Sequence, residues 1–494
     1  MFEAPALRFA ILGGGTAGWM AACVVARAWP WANVSVIESP EIGIVGVGEG
    51  STPQMAQLFA DLGIADADWM PRADATYKAG IEFVGWSDRP GFAHYFHPFA
   101  NAVDLHTEPA FHHAARLRRA GRDVPAHPDG YFLNTRLAAE GRAPIAPRRF
   151  PFAAGYGYHF DAHKVGHVLR ARALASDVVH LSRKVETVEV ANGAVAALIL
   201  DGGDRIEADL FVDASGFRSV IAQGALGVRF LPFADNLFND RAVVMPTPPD
   251  PAGPRPSTRA TALSAGWAWD IPLTARTGNG YVYSSRYIDP DAAEAELRTH
   301  LGLGEDVPAR HLQMKVGRVE TSWTGNCLAI GLAQGFVEPL EATALHVVQT
   351  TIESFVKAYA DGGFSAQHRD AFNAAVAARL EGIRDYIVAH YRLARRSDTP
   401  YWRDATGHDR LSDSLKAVMT CWFTGGDLPA EIARQDIARY YAPLSWGCLL
   451  AGYGVFPDPK TPGPPLPDYA DFLARCAENF PTHAAVLAQH AANT

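Results

Sequence analysis

The chain has 494 residues, 20% of them charged, and a formal net charge of −9. No block of like charges interrupts it, so nucleic acid and anionic membrane surfaces are not expected partners. It contains no run of about 18 apolar residues, and we therefore expect no membrane span. The five cysteines lack C-x-x-C spacing, which predicts neither a metal site nor a disulfide framework. With no signal-peptide pattern at its start, the chain is expected to be cytoplasmic.

The first predicted element is a buried strand, a glycine turn and a helix start. Gly13, Gly15 and Gly18 follow the strand in the G-x-G-x-x-G pattern of dinucleotide-binding folds, in which they allow a tight turn, close approach to a pyrophosphate and helix packing. A second strand at 34–37 ends at Glu38, about 20 residues later, where a ribose-binding acid is expected. These features together predict a nucleotide site; the alternative is a glycine-rich turn without a ligand.

The segment 41–53 contains four glycines and ends in proline. This composition is typical of a loop that another group approaches closely, and it predicts either a strap across the cofactor or a simple connector. A strand with an alternating pattern is predicted at 73–86, with Lys78 at its entrance. Taken alone, such a lysine is usually a solvated surface charge.

The eight residues 92–99, which include His97 and Phe99, are rich in aromatic rings and imidazoles. Such clusters are usually core, but flat faces also suit the binding of a planar aromatic ligand. An irregular lobe is expected at 112–150. Further along, a second strand and glycine turn at 209–218 is predicted to return the sheet to the nucleotide.

The string Gly-Trp-Ala-Trp-Asp-Ile-Pro-Leu begins at residue 266. Alternation places Trp267 and Trp269 on one face of a strand, and Pro272 is expected to end it. The two indoles are either ordinary packing or a rigid wall beside a site.

A strand, a loop and a helix start are predicted at 326–346, where backbone N–H groups favour an anion. The pattern is helical from there, which divides the chain into two parts. The first is 1–345, a cofactor-binding body with an inserted substrate segment at about 90–150. The second is 346–494, a helical lobe on the substrate side.

Four motifs follow one another along the chain. They are the glycine turn, Lys78 in Tyr-Lys-Ala, Trp267-x-Trp269-x-Ile271-Pro272, and Phe-Val-Glu-Pro-Leu-Glu-x-Thr at 336–343. Together they resemble the flavin-dependent tryptophan halogenase family over nearly the whole chain. The resemblance implies an α/β fold with a Rossmann-like FAD-binding domain of the aromatic-hydroxylase type. It also implies mixed sheets and a mainly helical C-terminal substrate lobe.

The resemblance also implies roles for individual residues. Lys78 would position or covalently carry the electrophilic halogen, and Glu341 would be its partner carboxylate. The flavin and the substrate would be separated by Trp267, Trp269, Ile271 and Pro272. Halide would bind at Thr343 and Ala344, and the aromatic substrate at His97, Phe99 and Trp446. The residues implied to contact FAD are Gly13, Gly15, Thr16, Ala17, Gly18, Glu38, Val47, Gly50, Val185, Leu332 and Leu345.

The implied reaction uses FADH₂, O₂ and chloride or bromide to halogenate an electron-rich aromatic, an indole compound or a larger molecule. A separate NAD(P)H-dependent flavin reductase would supply the reduced flavin, and homodimers occur in the resembled family. The chain departs from the family pattern at Ala342 and Ala344, where serine and glycine are usual. If position 344 needs a positive φ, alanine there would alter the halide site. The alternatives are an FAD-dependent aromatic hydroxylase and an inactive flavin-binding protein.

Overall fold

The computed structural model describes residues 7–41, 43, 46 and 48–492. The helices are α1 (Thr16–Ala28), α2 (Gln54–Asp61), α3 (Asp66–Trp69), α4 (Glu108–Arg119), α5 (Leu133–Ala139), α6 (Ala162–Leu174), α7 (Pro290–Leu301), α8 (Ala344–Asp361), α9 (Arg369–Leu393), α10 (Pro400–Gly407), α11 (Asp413–Phe423), α12 (Leu428–Arg434), α13 (Pro443–Gly452), α14 (Ala470–Ala477) and α15 (His483–Ala492).

The strands of the first half are β1 (Arg8–Leu12), β2 (Asn33–Ile37), β3 (Glu49–Gly50), β4 (Thr76–Lys78), β5 (Gly80–Val84), β6 (His94–Pro98), β7 (Arg122–Asp123), β8 (Gly157–Phe160), β9 (Val179–Leu181), β10 (Val185–Ala191), β11 (Ala194–Leu200), β12 (Arg205–Ile206), β13 (Leu210–Asp213), β14 (Phe230–Pro232) and β15 (Arg241–Val244). Those of the second half are β16 (Thr258–Leu263), β17 (Gly266–Pro272), β18 (Thr277–Tyr283), β19 (Arg310–Gln313), β20 (Gly317–Val319), β21 (Trp323–Thr324), β22 (Cys327–Ala329), β23 (Gly335–Phe336) and β24 (Thr461–Pro462).

A six-stranded sheet carries the glycine turn, with the strand order β21-β22-β13-β1-β2-β9. The strand β1 pairs in parallel with both β2 and β13. Its interior residues are apolar and buried because helices cover the sheet, and α1 packs against α6 and α8. The second predicted strand and turn therefore does return to the first, since β13 lies directly beside β1.

A seven-stranded sheet forms the other half, in the order β19-β15-β18-β17-β16-β5-β6. Its pairings are antiparallel except for β16 with β5, which is parallel. The helices α8 to α13 follow these sheets in the chain and supply the helical C-terminal region. The predicted fold class, a Rossmann-like α/β body with mixed sheets and a helical C-terminal region, is confirmed.

Two local predictions differ from the structure. The single strand predicted at 73–86 is two strands, β4 and β5, and Lys78 ends the first of them. The lobe expected to be irregular at 112–150 contains most of α4 and all of α5. The division at residue 345 stays a prediction, and α8 runs across it. No helix among the described residues is long and apolar enough to cross a membrane.

Candidate active site

The glycine turn after β1 has the geometry of a nucleotide cradle. Gly13 has a φ of +119°, and a Cβ there would lie 2.3 Å from the carbonyl oxygen of Ala214. A Cβ at Gly18 would lie 1.9 Å from the Gly13 carbonyl oxygen, so the turn and the helix can approach only with glycine at both positions. Gly15 precedes α1 without a side-chain cap, which leaves the N–H groups at the start of that helix for an anion.

Glu38 lies beside this turn. It follows β2 directly, and its carboxyl carbon would be 2.2 Å from a Cβ at Gly14, a residue that the sequence pattern did not single out. His180 Nε2 lies 3.1 Å from the Glu38 carboxylate. The acid that sequence spacing assigned to a ribose is thus next to the proposed pyrophosphate position.

The other predicted flavin contacts surround the same region. Leu332 lies in a 3₁₀ turn, Gly331–Ala333, whose glycine packs against Ala17. Leu345 is buried in the first turn of α8, and Val185 packs against a core cluster that includes Leu12. Val47 lies outside the described residues. The glycine turn, the adjacent Glu38 and these apolar residues fit an FAD.

Lys78 is fully buried, contrary to its surface-like sequence context. Strand β8 pairs with β4 opposite Gly157, and Gly50 approaches so closely that a Cβ there would lie 3.1 Å from Lys78 Nζ. The amine is 5.5 Å from the centroid of the Phe99 ring and has no hydrogen-bond partner among the described residues. We call Lys78, Gly50 and Phe99 the lysine cluster. Burial lowers the pKa of Lys78 to about 7, although Glu341 opposes the shift.

Glu341 lies at the end of a 3₁₀ turn, Pro339–Glu341, just before α8. Its Oε1 is 2.8 Å from His390 Nε2 and 3.9 Å from His97 Nδ1. Burial acts to raise the pKa of Glu341, but attraction by His97, His390 and Lys78 outweighs it, so the pKa lies below its ordinary value. Burial also lowers the pKa of His97. The buried site therefore holds Glu341 as a carboxylate between two imidazoles.

His390 is a site residue to which sequence reasoning gave no role. Its Nδ1 lies 2.8 Å from the Tyr453 hydroxyl, while its Nε2 faces Glu341. A carboxylate can only accept, so the imidazole donates through Nε2 to Glu341, while its Nδ1 shares a hydrogen bond with the Tyr453 hydroxyl. This arrangement fixes the orientation of the Glu341 carboxylate.

Trp267 and Trp269 lie on one face of β17, as alternation predicted. Their ring centroids are 6.2 Å apart at an interplanar angle of 59°. Ile271 belongs to the same core cluster, whereas Ala268 belongs to the cluster on the opposite face. We call Trp267, Trp269, Ile271 and Pro272 the tryptophan wall.

The end of the tryptophan wall is bound to the strand that carries Lys78. Pro272 ends β17, and its carbonyl accepts a hydrogen bond of 2.7 Å from the Thr76 hydroxyl, two residues before Lys78. Further along the wall, the Trp269 ring lies across Gly280, where a Cβ would come within 2.2 Å of it. Wall and lysine are thus parts of one buried arrangement.

The predicted substrate residues are arranged around two tyrosines that the sequence did not identify as central. Trp446 makes an edge contact with Tyr386 at 4.8 Å between centroids, and His97 does so at 6.4 Å. Tyr386 in turn stacks on Tyr441 at 3.6 Å. Phe99 lies instead in the lysine cluster. His97, Tyr386, Tyr441 and Trp446 thus form one group of aromatic contacts that reaches α13.

The predicted halide position lies at the start of α8. Thr343 is buried in the position preceding this 18-residue helix, and no side chain caps the helix. Ala344 begins the helix normally, so the expected strain there is wrong. The left-handed residue is instead Ala342, with a φ of +55°. Positions 343 and 344 thus offer uncapped N–H groups that favour an anion.

Among the described residues, no group of three histidine, cysteine or acidic side chains could hold a metal ion. The sequence profile of the tryptophan halogenase family matches residues 8–465.

The 7-chloro-L-tryptophan 6-halogenase KtzR of Kutzneria sp. (strain 744) is 36% identical, covering 97% of this chain and 98% of its own. The tryptophan 7-halogenase RebH of Lentzea aerocolonigenes is 34% identical, covering 92% and 90%. The solved structure of BrvH, a flavin-dependent halogenase from Brevundimonas sp. BAL3, matches with a TM-score of 0.83 at 34% identity, covering 99% of this chain and 100% of its own. On its fold, its site and these matches, the chain belongs to the tryptophan halogenase family of flavin-dependent halogenases.

Proposed function

We propose that this protein halogenates an electron-rich aromatic, an indole compound, by guiding hypohalous acid to Lys78. The observation that carries the proposal is the buried Lys78 amine, which lacks a hydrogen-bond partner among the described residues and shares its surroundings with Glu341 and Phe99. An unpartnered buried amine is costly unless a ligand satisfies it. The buried, unpaired amine therefore supports a chemical role for Lys78.

The glycine turn, Glu38 and Leu332 would bind FAD, and Thr343 with the Ala344 N–H would bind chloride or bromide. Reduced flavin and O₂ would supply the two-electron oxidation of halide to hypohalous acid. A separate NAD(P)H-dependent reductase is proposed as the source of FADH₂, which family members typically need. The homodimer and the cytoplasmic location stay predictions.

Lys78 can act in either of two protonation states because its pKa lies near 7. The ammonium would donate a hydrogen bond to hypohalous acid and polarise it. The neutral amine would instead form an N–halogen bond and release water. In both cases the aromatic ring attacks the halogen. Glu341, ionised and oriented by His390, would then accept the proton that the ring loses, or polarise the halogen species beforehand.

The tryptophan wall would keep the aromatic substrate away from the flavin, so that only the small oxidant passes between the two sites. The aromatic surface formed by His97, Tyr386, Tyr441 and Trp446 supports a planar substrate. KtzR and RebH act on different positions of tryptophan compounds, as their names state. We therefore propose the indole class and leave the ring position open.

The test is product analysis by mass spectrometry with purified protein, FAD, flavin reductase, NADH, O₂ and bromide or chloride, on indole and L-tryptophan. Lys78→Ala should abolish halogenation while flavin oxidation continues. Lys164→Ala is the matched control, because that lysine pairs with Asp74 at 2.6 Å and its side chain is 43% exposed. Halogenation by Lys78→Ala with free hypohalous acid scavenged would contradict the assignment. Oxygenated product alone would favour a hydroxylase.

A further inference from the structure

Glu338 is a second buried carboxyl group in the site, and neither the resemblance nor the proposed chemistry uses it. It is fully buried, and its Oε2 accepts three hydrogen bonds. The donors are Asn239 Nδ2 at 2.9 Å, Trp267 Nε1 at 3.2 Å and the Tyr391 hydroxyl at 2.5 Å. Three donors converge on one oxygen, and the Trp267 N–H has no other acceptor among the described residues, so the loss of Glu338 would leave a buried donor unsatisfied.

The two indoles of the tryptophan wall differ in how they are fixed. Trp267 donates its N–H to Glu338, whereas Trp269 Nε1 has no hydrogen-bond partner among the described residues. Trp269 is oriented by packing, since its ring lies directly on Gly280. The orientation of Trp267 therefore depends on a single directional contact, and that contact is with Glu338.

Glu338 and Glu341 also bind consecutive residues of α9. Glu341 contacts His390 at 2.8 Å, and Glu338 contacts Tyr391. Glu341 also acts electrostatically on Lys78, whereas Glu338 accepts the N–H of Trp267. The turn that carries both carboxylates thus connects the two parts of the site.

We propose that Glu338 is a positioning residue that fixes Trp267 and so keeps the oxidant within the path from the flavin to Lys78. This inference rests on the proposed function. Loss of the Glu338 contact frees the Trp267 ring to change its orientation and opens the wall, so that hypohalous acid escapes into solution instead of reaching Lys78. The turnover of flavin itself is not affected.

The chemistry of the carboxyl group suggests which substitution preserves its role. Burial raises the pKa of Glu338, although its three donors oppose the shift. The second oxygen, Oε1, is buried with no partner among the described residues. An amide keeps one oxygen for the three donors and places its NH₂ where Oε1 now lies. Glu338→Gln should therefore preserve the wall, whereas Glu338→Met removes the acceptor.

The experiment compares Glu338→Gln, Glu338→Met and Tyr401→Phe by the ratio of escaped hypohalous acid, caught by a diffusible trap, to halogenated indole. Tyr401→Phe is the control, because it removes one buried hydroxyl that donates to Asn239 Oδ1 but no donor to Glu338. We expect at least a threefold higher ratio for Glu338→Met and ratios within 1.5-fold of the wild type for the other two. An unchanged ratio in Glu338→Met overturns the inference.

A double variant separates positioning from general damage. If Glu338 acts through Trp267, then Glu338→Met combined with Trp267→Phe should leak no more than Trp267→Phe alone. Additive leakage would show that Glu338 acts elsewhere and would overturn the inference. A wild-type protein that forms no halogenated product would contradict the proposed function.

A second readout does not need catalysis. In protein labelled with 5-fluorotryptophan, the ¹⁹F resonance of Trp267 can be assigned by its loss in Trp267→Phe. That resonance should shift or broaden in Glu338→Met and stay in place in Glu338→Gln and Tyr401→Phe. An unmoved resonance in Glu338→Met would overturn the positioning role, whatever the outcome of the halogenation assays.

Discussion

Replacing Lys78 by methionine should stabilise the fold while it removes activity. The pKa of Lys78 falls from 10.5 to about 7 because its charged form is desolvated. At about 1.36 kcal/mol per unit, the buried ammonium costs about 4 kcal/mol at neutral pH. The attraction of Glu341 is already included in that figure, since it acts on the same pKa. Methionine fills a similar volume without a charge, so Lys78→Met should recover most of this cost.

The stability that Lys78→Met gains over the wild type should fall as the pH rises. Between about pH 7 and pH 10.5 the unfolded lysine binds a proton that the folded one has lost, so wild-type stability rises with pH in that window. The advantage of Lys78→Met is therefore full below pH 7 and falls to about 1.5 kcal/mol at about pH 9.5. The variant should lack this pH dependence.

Thermal unfolding measures the effect. An unfolding entropy of about 2.1 cal/mol/K per residue gives about 1 kcal/mol/K for this chain, so the expected rise in Tm is about 4 °C at pH 7 and about 1.5 °C at pH 9.5. Lys164→Met is the control, because its exposed ion pair with Asp74 contributes about 0 to 1 kcal/mol. A Lys78→Met protein that melts at or below the wild-type temperature at pH 7 would refute the reasoning.

Three further outcomes are expected. The halogenation rate should change with an inflection near pH 7, falling above it if the Lys78 ammonium is the active form and rising if the neutral amine is; a flat profile from pH 6 to 8 would contradict both. Gly50→Ala places a methyl group 3.1 Å from the lysine amine and should lower halogenation at least tenfold, whereas Gly43→Ala, whose Cβ would meet no described atom within 4 Å, should have no effect. Ala342→Gly should raise stability by up to about 1 kcal/mol, since it relieves a left-handed alanine, and Ala344→Gly should lower it by a similar amount; equal melting temperatures would count against this assignment of strain.

The features that the sequence predicted correctly depend on short-range patterns. The turn at Gly13 and Gly18 is encoded by sterics within a few residues, and the shared face of Trp267 and Trp269 follows from the period of a strand. Neither prediction requires knowledge of the distant residues that pack against these segments. The resemblance to a family then supplied the grouping of distant motifs, which periodicity alone does not give.

The features that the sequence did not predict arise from contacts between distant segments. Lys78 resembles a surface residue because its burial comes from β8 and Gly50, which belong to other parts of the chain. His390 and Tyr391 lie on a helix whose pattern indicates core packing, and nothing local marks them as partners of Glu341 and Glu338. The left-handed residue is Ala342 rather than Ala344, because the turn Pro339–Glu341 ends there and α8 already begins at Ala344.

The long-range pairing of the site determines when it can form during synthesis. Strand β5 can pair with its parallel partner β16 only after much of the chain has been translated. Glu341 meets His390 later still, and His390 meets Tyr453 last. A nascent chain that has not yet produced α9 has a carboxylate with no imidazole to orient it. Folding that depends on contacts between distant segments is slow, as in other proteins of high contact order. The buried arrangement around Glu341 therefore cannot be complete until α9 and Tyr453 have been synthesised, and shorter nascent chains lack it.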